Sequence, residues 1–136
     1  LLDPTHGGHD AAHAWFEHEG RFDWATRPIT QNDVIRIIGN PRYPNSKGSP
    51  AEAALLVRSL RAFEGHRFWP DDVNIYGDEV IDPSEIRTPT QATNIYMLAL
   101  AAARGGGLAT FDRKPSARRV RCGRGALHLI EGMVAR

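Results

Sequence analysis

The stretch QATNIYMLALAAARGGGLATFDR, Gln91 to Arg113, decides how this chain folds. Its first half reads as a helix, with Thr88 as cap, Pro89 at the first helical position and Gln91 at the third. Gly105, Gly106 and Gly107 break it, and LATF then forms a strand that ends on an acid, Asp112. Helix, break and short apolar strand are the parts of an α/β layer architecture. In open α/β sheets a ligand binds beyond the carboxyl ends of the strands, which is where Asp112 stands. A metal held there calls for a second carboxylate from the first turns of the helix. Position 94 is an asparagine instead.

Working outward, the same alternation continues toward the N-terminus. HDAAHAWFEHE places Ala11, Ala12, Trp15 and Phe16 on one helical face, and FDWATRPI is a strand candidate stopped by a proline. In TQNDVIRIIGNP, Thr30 is a candidate N-cap before apolar Val34, Ile37 and Ile38, and Gly-Asn-Pro ends the helix. SPAEAALLVRSLRAFEG opens with Ser49, Pro50 and Glu52 in a capping-box pattern, with Leu56, Leu60 and Phe63 at helical spacing. FWPDDVNIY suggests a turn and a short strand, and the chain closes on the apolar run ALHLI.

The bulk numbers fit one soluble domain spanning 136 residues, 41% hydrophobic and 24% charged. No apolar run approaches the roughly 20 residues that a membrane span needs. A single cysteine, Cys122, excludes an internal disulfide framework and suits a reducing cytoplasm. With a net charge of +1, any affinity for nucleic acid must be local. The local candidate is RKPSARRVRCGR, which follows Asp112 at once and holds six basic residues and no acid. Arg113, Lys114, Arg118 and Arg119 could bind phosphate there, or form a solvated loop balanced by acids elsewhere.

Three oxygen-bearing side chains from three segments could meet: Asp33 after WATRPIT, Asn94 and Asp112. Mg²⁺ and Mn²⁺ take such hard oxygen ligands and keep several waters. Each residue also has a plain alternative. Asp33 could complete a capping box with Thr30, Asp112 could close a turn, and Asn94 could face solvent.

DPTHGGHDAAHAWF, WATRPITQNDVIRIIGNP, FWPDD and TNIYMLALAAARGGGLATFDR resemble, in order and spacing, segments of the VapC-type PIN-domain ribonuclease toxins of the mycobacterial and actinobacterial group. The resemblance covers nearly the whole chain. It implies a PIN-like, Rossmann-like α/β/α fold with a mostly parallel central sheet, in a single domain over residues 1–136. It further implies a cytoplasmic, Mg²⁺- or Mn²⁺-dependent endoribonuclease, neutralised by a VapB-type antitoxin and allowed to pair as a homodimer. On this resemblance Asp112 is the acid of TFDR and Asn94 replaces the acid of TDAYLL. For the helix after PIT, Asp33 stands where many relatives have Gly and Gln31 where many have Glu; Asp33 is the favoured surviving charge.

Two features depart from that pattern. Relatives begin earlier, with a strand carrying a further metal-binding Asp, whereas Pro4, His6 and His9 match their later DPxHxxH segment. The first strand is therefore expected to be absent, with Asp3 as a substitute acid at best. A charge-depleted site then predicts either weakened cleavage or an inactive module that keeps antitoxin or RNA binding. His6, His9 and His13 with Asp10 raise the question of zinc, but no HExxH pattern is present and the resemblance gives this segment a packing and surface role.

Overall fold

The computed structural model describes residues 2, 7–74, 80–112 and 117–131, without the side chain of Arg118. Asp3, Arg113 and Lys114 thus lie outside the described residues. The chain divides into two compact units, Leu1–Asp71 and Asp72–Arg136.

In the first unit, helix α1 (His9–His18) leads through a 3-10 turn at Gly20–Phe22 into strand β1 (Trp24–Thr26). Helices α2 (Pro28–Ile38) and α3 (Pro50–Arg61) follow, then strand β2 (His66–Phe68). β1 and β2 are parallel, with Trp24 opposite His66 and Thr26 opposite Phe68. A parallel pair needs a long crossover, and the packed helices α2 and α3 supply it. Ala12, Ile38, Ala53 and Val57 are buried, and the Phe16 ring meets Trp24 edge-on at 5.2 Å. Gly65 turns the chain into β2 at φ +87°, with the carbonyls of Arg21 and Phe22 where a side chain would be.

Three local expectations change here. α2 starts at Pro28, so Thr30 lies inside the helix and cannot cap it. Proline is preset for a first helical position, and the Ile29 amide donates to Asp71 Oδ2 at 3.1 Å. That partner is remote in sequence, so the local Thr30–Asp33 pattern misleads. On α3 the buried residues are Ala53 and Val57, while Phe63 lies beyond the helix and is exposed. The strand near FWPDDVNIY ends at Phe68, before the turn, and residues 75–79 fall outside the described part.

Ser49 does cap α3, its hydroxyl accepting the Glu52 amide at 3.2 Å.

The second unit is built on helix α4 (Pro89–Ala103), followed by strand β3 (Leu108–Thr110), a short helix α5 (Gly123–Ala126) and strand β4 (Leu127–Leu129). β3 and β4 are parallel, Leu108 opposite Leu127. Ile95, Leu98 and Ala99 of α4 form the core with Ile81, Val120 and Ala126. Thr88 is the N-cap residue of α4, but the side-chain bond comes from Gln91, whose Oε1 accepts the Arg87 amide at 3.0 Å. The described strands thus form two parallel pairs, β1–β2 and β3–β4, each hydrogen-bonded within itself. Among the described residues no helix is long and apolar enough to cross a membrane.

Candidate active site

The sequence expects Asn94 and Asp112 at one place, and the second unit shows why they meet. The glycine break reverses the chain, so β3 runs back along α4. The nine helical steps from Asn94 to Ala103 rise about 14 Å, and the four extended steps from Leu108 to Asp112 cover about 13 Å. The start of the helix therefore lies beside the end of the strand. Asn94 Nδ2 donates to Asp112 Oδ2 at 3.4 Å, in a partly buried setting. The Asp112 amide donates to Thr110 Oγ1 at 3.0 Å, which turns the backbone just past the strand.

Asp33 belongs to the first unit. Its carboxylate sits 3.3 Å from Arg36 Nη2 on the same helix, 45% exposed, as an ordinary surface pair. Gln31 is half-buried and lies next to the end of β1: its Nε2 donates to Thr26 Oγ1 at 2.8 Å. The same hydroxyl lies 2.7 Å from His66 Nε2. Burial, and then the nearby Arg61 guanidinium, push the His66 imidazole below its ordinary value of 6.5. Thr26 and His66 escape sequence reading because neither stands in a charged cluster. Their only signal is position, at strand residues on one side of a parallel pair.

Of Arg113, Lys114, Arg118 and Arg119, Arg119 is the one described in full. Its Nε lies 3.8 Å from Glu85 Oε2, with the side chain 16% exposed, so this guanidinium is folded onto an acid. Arg87 approaches the same carboxylate at 3.7 Å. Among the described residues no group of three or more His, Cys, Asp or Glu side chains converges as a metal site.

Relatives of established naming share most of this chain. It is 40% identical over 113 residues to ribonuclease VapC44 of Mycobacterium tuberculosis strain H37Rv, covering 83% of this chain and 79% of that protein. The chain belongs to the VapC ribonuclease family. Ribonuclease VapC39 of the same strain is 36% identical over 109 residues, or 80% of this chain and 78% of that one. Ribonuclease VapC38 is 36% identical over 108 residues, 79% and 74% of the two chains. No family model and no solved structure matches. Membership in the VapC family carries the PIN-like α/β fold, in keeping with the helices and parallel strands above.

Proposed function

We propose that this VapC-family chain is an endoribonuclease toxin, dependent on Mg²⁺ or Mn²⁺ and paired with a VapB-type antitoxin. The observation that carries the reading is the 3.4 Å contact between Asn94 and Asp112 beyond the end of β3. The Asp112 carboxylate and the Asn94 amide carbonyl are hard oxygens, and Mg²⁺ can be held by one or two such groups with water and substrate phosphate. This donor set fits the ion, and its single negative charge fits it loosely. When bound, the ion would lower the pKa of a water and offset charge on the phosphodiester. Asp112 would hold the ion, while Asn94 would orient the Asp112 carboxylate through Nδ2 and offer its own oxygen. Thr110 fixes the backbone that aims Asp112.

Within the first unit, the residue proposed to contribute to cleavage is either Asp33 or Gln31. Asp33 brings charge but spends it on Arg36; Gln31 brings an amide fixed at the end of β1. Two single variants separate them. The true contributor, changed to alanine, lowers cleavage about tenfold or more, and the other leaves it unchanged. Arg113, Lys114 and Arg118 would track the RNA backbone.

A second reading is favoured by the same asparagine. With Asn94 and Gln31 at positions where relatives carry acids, the chain would be an inert module that keeps antitoxin or RNA affinity. Purified protein with Mn²⁺ and structured RNA decides. Cleavage that falls about a hundredfold in Asp112→Ala supports the enzyme. Equal inertness of wild type and variant, with antitoxin peptide still bound, supports the module.

A further inference from the structure

We propose that His9 and His13 form a binding site for a late first-row divalent cation, Zn²⁺ foremost, on the surface of α1. The site uses none of the residues proposed for RNA cleavage. The two histidines are four residues apart on His9–His18, the spacing that stacks side chains along one helical face. Their ring centroids lie 4.3 Å apart with the planes tilted by 45°. Two imidazoles sharing one tetrahedral ion, with bonds of about 2.0–2.1 Å, have ring centres about 5 Å apart. Opening the pair by less than about 1 Å brings the ring centres to that spacing, and rotation of the side chains then has to turn one nitrogen of each toward the ion.

Asp10 settles the tautomer of His9. Its Oδ1 lies 3.2 Å from His9 Nδ1, and a carboxylate only accepts, so Nδ1 carries the hydrogen. Nε2 then keeps its lone pair for a metal, the arrangement in which a carboxylate orients a ligating histidine. His13 is exposed and the His9 side chain is 22% exposed, so an ion reaches the pair from solvent. The first turn of a helix is its positive end and works against a cation; Asp10, in that same turn, offsets it. Imidazole donors select Zn²⁺, Cu²⁺ or Ni²⁺ over Mg²⁺, and water fills the remaining positions.

The test uses the untagged full chain, with Zn²⁺ titrated while imidazole ¹⁵N resonances and binding heat are followed. The expected result is one ion per chain and joint shifts of His9 and His13. His13→Gln removes the chelate and weakens binding about tenfold or more. Asp10→Asn weakens it about threefold, a small factor because that carboxylate is fully exposed. Lowering the pH releases the ion, since protons compete for the imidazoles. Both variants keep the metal-free melting curve, which separates lost binding from lost folding. The proposal is overturned by Zn²⁺ that moves only one of the pair, or only the other four histidines of the six. Binding by His13→Gln as tight as wild type overturns it equally.

Discussion

Asn94 and Asp112 put an amide proton where two carboxylates would otherwise repel. The Asn94 Nδ2 hydrogen bond to Asp112 holds the pair together without a cation. Asn94→Asp would replace that attraction with like charges in contact, which a shared proton or a bound cation relieves. The expected outcome is Mn²⁺-dependent RNA cleavage raised about tenfold or more, with metal half-saturation at lower concentration, because ligand charge sets affinity for hard cations. A single-turnover assay over a Mn²⁺ series measures both; unchanged half-saturation would show that Asn94 does not face the ion. His66 makes a second prediction at this scale. Its folded pKa is depressed, so the unfolded chain binds the extra proton first and stability rises with pH through the window below 6.5. Acidification through that window should lower the melting temperature. In His66→Gln this part of the pH dependence should flatten, because the group that titrates differently is gone.

At the scale of elements, the device that fixes α2 is Asp71. One carboxylate oxygen accepts the Ile29 amide at the helix start, and the other accepts from Arg27 Nη1 at 2.7 Å. Arg27 is 6% exposed, so Asp71→Ala takes a carboxylate partner from a buried guanidinium and uncaps a helix. Breaking such a buried pair costs about 3–5 kcal/mol, whereas Asp33→Ala, which loses only an exposed pair, costs less than about 1 kcal/mol. Urea unfolding of the two variants tests the contrast, and equal midpoints would refute it. The same pair shows where sequence reading stops. Local signals were enough for α1, for the Ser49 cap, for the glycine break after α4 and for a strand ending next to Asp112, since each is set by neighbours within a turn or two. The true start of α2 was not legible. It depends on a carboxylate 42 residues away in sequence, and the nearby Thr30–Asp33 spacing imitates a cap. The Thr26–His66 contact was hidden for the same reason, because it exists only once β1 and β2 pair in register.

For the whole molecule, a net charge of +1 offers RNA no general attraction, so affinity has to come from a few residues. RKPSARRVRCGR is the densest source, but its members are not equivalent. Arg119 is held near Glu85 in a largely buried position, where its charge is spent inside the unit. Neutralising a phosphate contact removes counterion release, and the slope of log affinity against log salt falls by about 0.7 per contact on single-stranded RNA. Lys114→Ala should therefore weaken RNA binding and flatten the salt dependence by about that amount. Arg119→Ala should leave the slope unchanged and lower the melting temperature instead, because Glu85 loses one of the two guanidinium partners it has among the described residues. Fluorescence anisotropy with a labelled RNA across a salt series, beside thermal melts of the same proteins, reads both effects. If Arg119→Ala flattens the slope as much as Lys114→Ala does, Arg119 leaves Glu85 for RNA, and the basic segment acts as one surface.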